Sequence, residues 1–324
     1  MIDRFIRRGS PNRFISTARL RVMFVHAWTW CVAAMLIGGS AANAQDKSTR
    51  RGKADSKPRW ETLQTKDGLK LGAFYAPSDK GKEAVPVLIL PEWNGNASPY
   101  VPLVRELNSA GHAVLFLEYR GHGHSDKTIT ENGRSKDINL SQMNRRDIQT
   151  IIARDIEAAK AFLKTENNAE RLNLNALVVI GVREGATMAV SWSASDWAFP
   201  SVGSVKQGQD VKALVFVSPE SQFKGIAIEP LYSNRALMSL PLMVAAGTRG
   251  SQKDAAETMI RRIEVLKKRM HRGDVKDFTK LELPTPLSGP RLIKEAPPVV
   301  PKIVEFVTES LGQPSPRNAW VMRR

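Results

Sequence analysis

The chain has 324 residues, of which 42% are hydrophobic and 25% charged, and its formal net charge is +16. These proportions are ordinary for a globular protein with a sizeable core, so they exclude disorder of the whole chain. A single cysteine excludes a disulfide framework. Outside the cytoplasm the positive charge would favour anionic cell-wall polymers, acidic polysaccharides or membrane head groups over nucleic acid, although a solvated basic surface that binds nothing explains it equally well.

The first 44 residues have the layout of a signal peptide. A basic segment precedes an apolar run at 22–39, and small residues ending at Ala44 supply a cleavage site. We therefore predict export to the periplasm or the extracellular space. The alternative is that residues 22–39 remain as a membrane anchor, which would be the only membrane contact. Residues 45–59 are basic, contain hardly any apolar side chain, and are predicted to be a flexible linker.

Residues 60–312 are predicted to form one domain, with 313–324 as a tail. Apolar runs typical of buried strands alternate here with segments whose apolar residues recur at helical spacing. In chain order we predict strands at 60–65, 69–77, 85–90, 113–118, 176–180, 211–217, 242–246 and 279–283, and helices at 99–110, 144–163, from 184, at 254–270 and at 298–311. This alternation predicts an α/β fold with a mainly parallel, doubly wound sheet of about eight strands and helices on both faces.

Three motifs follow predicted strands. Tyr119-Arg120-Gly121-His122-Gly123-His124-Ser125 comes after the strand at 113–118, and Gly181-Val182-Arg183-Glu184-Gly185 joins the strand at 176–180 to a helix. The third pattern consists of the loops after the last two strands, which contain Gly250 and Ser288. Together these patterns resemble the α/β-hydrolase family, with its D-x-R-G-H-G-x-S stretch, its G-x-S-x-G nucleophile elbow, and its acid and histidine after the last strands.

The resemblance implies an α/β-hydrolase fold, here with little or no lid domain, in which each position of the catalytic triad is substituted. Arg183 stands at the serine position, and a guanidinium remains protonated, so it cannot act as a nucleophile. Gly250 stands where the acid is expected and Ser288 where the histidine is expected. We therefore predict no catalytic residues and a protein that has lost serine-hydrolase activity.

The candidate pocket residues surround this elbow. The loop that carries the family's first oxyanion donor reads Pro91-Glu92-Trp93-Asn94-Gly95, and Glu118 stands near the usual aspartate of the first motif. Two interpretations of Arg183 remain open: it binds an anionic small molecule or the end of a cell-envelope polymer, or an internal carboxylate, Glu92, Glu118 or Glu184, holds it. The candidate residues are Glu92, Trp93, Gly95, Glu118, Gly181, Arg183, Glu184 and Gly185.

The alternative function is an active esterase or peptidase with a relocated nucleophile. The serines considered for that role are Ser125, Ser218 and Ser288, although a serine without a partnering histidine and acid is unreactive. Asp254, a possible displaced acid, is better explained by its position at the start of a helix. His122 and His124 make a poor metal site without a third ligand, and no cofactor motif occurs. We predict no metal, no cofactor and no nucleic-acid partner.

Two further surfaces have competing interpretations. The helix at 254–270 carries many cations, which are interpreted as its solvated face or as a polymer-binding surface, while Ile260, Ile263 and Leu266 point inward. The aromatic residues after the elbow are interpreted as core packing rather than as part of a lid. They are Trp192, Trp197 and Phe199.

Overall fold

The computed structural model describes residues 57–129, 135–203, 205–250, 253–313 and 315–323. The predicted signal peptide and most of the predicted linker lie outside these ranges. Within them, no helix combines the length and the apolar character needed to cross a membrane.

Eight strands form the central sheet. They are β1 Arg59–Gln64, β2 Lys70–Ala76, β3 Pro86–Leu90, β4 Ala113–Leu117, β5 Leu177–Val182, β6 Val211–Val217, β7 Leu242–Gly247 and β8 Phe278–Leu283. Their order across the sheet is β1-β2-β4-β3-β5-β6-β7-β8. Strand β2 is antiparallel to both of its neighbours, and the remaining pairs are parallel. The prediction of a mainly parallel sheet of about eight strands is confirmed.

The helices connect these strands. They are α1 Val101–Ser109, α2 Arg145–Thr150, α3 Ile156–Asn168, α4 Glu184–Ala198, α5 Pro230–Ser233, α6 Arg235–Met238, α7 Lys253–Met270, α8 Pro290–Glu295 and α9 Val299–Leu311. A π-helical turn, Ile151–Asp155, joins α2 to α3. Two short hairpins pair Lys127–Ile129 with Ser135–Asp137 and Gln222–Phe223 with Ile226–Ala227.

The core has two apolar layers, one on each face of the sheet. Strand β3 shows why, because successive side chains of a strand point to opposite faces. Leu88 and Leu90 join the layer that contains residues of α3, α4 and α7. Val87 and Ile89 join the layer that contains residues of α1, α8 and α9. The prediction of helices on both faces is therefore confirmed.

The aromatic residues after the elbow divide between the core and the surface. Trp192 is 1% exposed and its indole N–H donates to the carboxylate of Glu157 at 2.7 Å. Trp197 is partly buried and donates to the carbonyl of Val211 at 3.0 Å. Phe199 is 55% exposed. The core interpretation is thus confirmed for Trp192 and is wrong for Phe199.

Helix α7 has the expected inward side, with one unexpected member. Ile260 and Ile263 are buried, as their helical spacing predicts. Lys267, one of the cations that the charge pattern of 254–270 predicts on the solvated face, is also buried. Its ammonium group donates to the carbonyl of Leu240 at 2.6 Å. The expectation was wrong at this position because a long side chain can bury its stem and still satisfy its charged end at a backbone carbonyl.

We expect one buried histidine to make the stability of this fold dependent on pH. His112 is buried, its Nε2 lies 3.0 Å from the Thr308 hydroxyl of α9, and burial lowers its pKa to about 4. An unfolded chain binds the proton near pH 6.5, so between pH 6.5 and 4 the unfolded state holds more protons and stability falls as the pH falls. We expect a loss of about 3 kcal/mol from this group across that interval.

Denaturant unfolding at several pH values measures this effect. The variant His112→Gln lacks the titrating group, so the stability of the wild type should decrease more steeply than that of the variant on acidification. Parallel pH dependences of the two proteins would contradict the assignment.

Candidate functional site at the Arg183 elbow

The turn between β5 and α4 retains the sharp backbone geometry that lifts a side chain above a sheet. Arg183 lies at this turn with φ 50° and ψ −116°, a region that a residue with a Cβ adopts at a cost of about 1–3 kcal/mol. Its N–H donates to the carbonyl of Val217 at 3.0 Å, and its own carbonyl accepts from the N–H of Ala186 at 3.0 Å. Contacts with a neighbouring strand and with α4 therefore hold the strained conformation.

The two glycines of the elbow are required by the close packing of strands against α4. A Cβ on Gly181 would lie 2.6 Å from Cα of Ala186. A Cβ on Gly185 would lie 2.3 Å from the carbonyl oxygen of Leu90 and 2.4 Å from that of Pro91. Both contacts are with backbone, which cannot move aside as a flexible side chain does. The glycine spacing therefore has a structural reason that holds whatever residue stands at the apex.

Internal carboxylates hold the Arg183 guanidinium. Its Nη2 lies 3.0 Å from Oε1 of Glu220 and 3.4 Å from Oε1 of Glu184. Burial raises the pKa of the Glu220 carboxyl. Of the three partners considered from the sequence, the structure selects Glu184 and adds Glu220, which was missed. The sequence contained a signal for this partner. Glu220 follows β6, Arg183 follows the parallel neighbouring strand β5, and the carboxyl ends of such strands meet at one edge of a sheet.

Glu92 and Glu118 do not form this ion pair. Tyr100 donates its hydroxyl hydrogen to Glu92, and burial raises the pKa of Glu92. Glu118 is buried and accepts from the backbone N–H of His124 at 2.7 Å, with the ring Nδ1 of His124 at 2.9 Å. Glu118 therefore stabilises the turn after β4.

The rest of the first motif is also explained by structure. Arg120 pairs with Asp155 of the π-helical turn at 2.6 Å and with Asp67 at 2.9 Å. His122 has its Nδ1 3.2 Å from the carbonyl of Arg120, and its Nε2 accepts from the N–H of Asn94 at 3.1 Å. Both nitrogens of His122 are therefore engaged by the backbone.

Backbone N–H groups of the loop after β3 donate to side chains of the protein. The N–H of Trp93 donates to Oε2 of Glu184 at 3.2 Å, and that of Asn94 donates to His122. A Cβ on Gly95 would lie 2.5 Å from Oε1 of Glu92, so this glycine makes room for the Glu92 carboxylate. An oxyanion hole needs N–H groups directed at the developing charge of a substrate. Here those of Trp93 and Asn94 are directed at side chains of the protein.

The positions aligned with the acid and the histidine come together in space. Gly250 and Ser288 line one small cavity of about 50 Å³ beyond the ends of β7 and β8. Gly250 has no side chain, and the Ser288 hydroxyl is buried with no hydrogen-bond partner. The two positions that the sequence predicts for the acid and the histidine therefore share one cavity, and these two residues supply neither a carboxylate nor an imidazole.

The serines considered as relocated nucleophiles are shielded from solvent. Ser125 donates to the carbonyl of Glu118 at 2.9 Å and accepts from the N–H of Gly72 at 2.8 Å. Ser218 is 5% exposed and accepts from the N–H of Gly289 at 2.9 Å. An activated serine needs a histidine that takes its proton. The contacts of Ser125 and Ser218 are with backbone instead.

Comparison with solved structures places this architecture among esterases and hydrolases. An esterase of Pyrococcus furiosus matches with a TM-score of 0.55 at 18% identity, covering 88% of this chain and 100% of the esterase. A fungal esterase of Rhizomucor miehei gives 0.52 at 12% identity, covering 82% and 89%. A predicted hydrolase of Thermoplasma acidophilum gives 0.51 at 12% identity, covering 78% and 98%.

Sequence comparison reaches a smaller part of the chain. Two uncharacterized proteins, from two strains of Mycobacterium tuberculosis, are each 31% identical over 80 residues. The match covers 25% of this chain and 28% of the length of those relatives. No protein-family model matches the chain. At these identities the structural likeness establishes the fold, and together with the strand order it shows that this chain has the α/β-hydrolase fold.

Proposed function

We propose that this chain is an exported α/β-hydrolase-fold protein that no longer hydrolyses its ligands and acts by binding. One observation carries the proposal: an intact elbow holds Arg183 at its apex, paired with Glu220 and Glu184. A permanently charged guanidinium cannot attack a carbonyl carbon. Export is supported by the signal-peptide layout ending at Ala44.

The surroundings of the elbow support the same conclusion. Hydrolysis by a serine needs a nucleophile, a base and an oxyanion hole acting together. The N–H groups of Trp93 and Asn94 are satisfied internally, and the described residues that line the cavity at Gly250 and Ser288 include neither a carboxylate nor an imidazole. All three parts of the machinery are therefore altered.

The ion pairs also bear on where a ligand binds. An anion that bound directly to Arg183 would have to displace the carboxylate of Glu220 or Glu184, whose negative charges repel it. These ion pairs therefore favour a structural role for Arg183, in which it occupies the apex of the elbow and is held there by carboxylates of the protein. Cations that form no ion pair within the protein are better placed than Arg183 to bind an anion.

A fluorophosphonate probe tests the loss of hydrolysis without knowledge of a substrate. The full chain is incubated with the probe, and intact and peptide mass spectrometry reports any adduct. We expect no adduct on the folded protein, while a known serine hydrolase in the same experiment is labelled stoichiometrically. A stoichiometric adduct on Ser125, Ser218 or Ser288 would show an active hydrolase with a relocated nucleophile.

The variant Arg183→Ser separates the nucleophile from the rest of the machinery. We expect it to remain unlabelled, because an elbow serine without its base and oxyanion donors loses several orders of magnitude in reactivity. Labelling of this variant would mean that only the nucleophile has been lost.

A further inference from the structure

The small cavity at the vacated acid and histidine positions is polar and positively charged. It is lined by Ser218, Arg249, Gly250, Lys253, Leu287 and Ser288, among others, and its volume is about 50 Å³. Its position is determined by the close approach of β7 to the loop after β8. A Cβ on Gly247 would lie 2.5 Å from the carbonyl oxygens of both Leu287 and Thr285. The cavity is therefore a built feature of the fold.

Its charged groups have one sign. Arg249 and Lys253 line the cavity, and none of the described residues that line it carries a carboxylate. In the described part of the chain neither cation takes part in an ion pair. The nearest acid along the chain, Asp254, lines a different cavity together with Glu220 and Glu229. The small cavity thus carries two exposed cations and no carboxylate among its described lining residues.

The two serine hydroxyl groups that line the small cavity have no hydrogen-bond acceptor for their hydrogens among the described residues. The Ser288 Oγ is shielded from solvent and has no hydrogen-bond partner, which is costly for a buried polar group unless something binds there. Ser218 is 5% exposed, and its Oγ accepts from the N–H of Gly289. That acceptor contact leaves the O–H of Ser218 available to donate. Two hydroxyl donors therefore accompany the two cations.

We propose that this cavity binds a phosphate group. A guanidinium is suited to phosphate because its planar fork donates two parallel hydrogen bonds, and an ammonium group adds a point charge. Arg249 and Lys253 hold the charge, and Ser218 and Ser288 donate to the oxygens. The volume admits a single small anion. The inference rests on the proposed function, since a working triad would need a carboxylate and an imidazole at this place.

Calorimetric titration of the full chain with inorganic phosphate, at constant ionic strength, tests the site. We expect saturable binding by the wild type. Arg249→Gln should weaken it by about tenfold, because a hydrogen bond to a charged group is lost, and Ser288→Ala should weaken it severalfold. The matched control is Arg269→Gln, which removes an exposed cation from α7 and should leave the affinity within about twofold.

The same titration with glycerol phosphate distinguishes a free ion from a terminal phosphate on a larger molecule. Binding of both ligands identifies a terminal phosphate group, and binding of inorganic phosphate alone identifies the free ion. Absence of saturable binding by the folded wild type, or binding that neither Arg249→Gln nor Ser288→Ala changes, would overturn the site. Because this measurement involves no hydrolysis, its failure is separate from a serine adduct, which would overturn the proposed function.

Discussion

Replacing Arg323 with methionine is expected to lower the free energy of unfolding by about 1.5–3 kcal/mol, because it removes one of the cations that pair with the buried Asp210 carboxylate. The guanidinium of Arg323 pairs with Asp210, and both side chains are buried, at 3% and 0% exposed. Lys160 and Lys206 also approach Asp210, at 3.1 and 3.3 Å. Methionine retains most of the apolar stem, so the expected loss reports the charge rather than the packing.

Chemical denaturation of the two proteins measures this difference. The matched control is Arg317→Met, since Arg317 belongs to the same C-terminal segment but is exposed. Its substitution should change stability by less than about 0.5 kcal/mol. Equal effects of the two substitutions would show that the Arg323 pair contributes no more than a surface charge.

The backbone of the same segment is held by a row of asparagines, which explains why Arg323 reaches Asp210. Four side-chain amides each donate to a carbonyl of the segment: Asn173 to Asn318, Asn175 to Ala319, Asn167 to Val321 and Asn168 to Arg323, at 2.6–3.0 Å. Asn168 also accepts from the N–H of Arg323 at 2.8 Å. The predicted tail is therefore, over 318–323, a segment fixed to the domain.

The second large effect is expected at the elbow, where Gly185→Ala should destabilise the fold by about 3 kcal/mol or more. The added Cβ would lie 2.3 Å from the carbonyl oxygen of Leu90 and 2.4 Å from that of Pro91. Relief requires α4 to move away from the end of β3, and α4 carries buried core residues such as Met188 and Trp192. Overpacking against backbone costs more than overpacking against flexible side chains.

Thermal and denaturant unfolding of the variant, with near-ultraviolet circular dichroism to check packing, measures the effect. Gly203→Ala serves as the control, because Gly203 has φ 58° and an added Cβ there meets nothing within 4 Å. That variant isolates backbone strain, about 1–2 kcal/mol. If Gly185→Ala proves no less stable than Gly203→Ala, the close contact with β3 does not constrain the elbow.

Apolar patterning determined the architecture from the sequence alone. A strand buried on both faces must be apolar throughout, so the runs at β3, β4 and β6 could be identified without tertiary information. The elbow could be identified because only glycine fits both Gly181 and Gly185 against backbone. These features depend on local sequence and on a steric rule that any such turn obeys.

Only the tertiary structure decided the partners of the charged side chains. Glu220 lies 37 positions from the arginine that it holds, and Asn168 lies 155 positions from Arg323. Lys267 occupies a place in a basic run that looks solvated, yet it reaches the carbonyl of Leu240. Periodicity specifies which face of an element is buried, whereas a hydrogen bond or ion pair depends on which elements the chain brings together. The sequence therefore determined the fold and the position of the elbow. Long-range packing decided which carboxylates pair with Arg183 and which cations line the small cavity beyond β7 and β8.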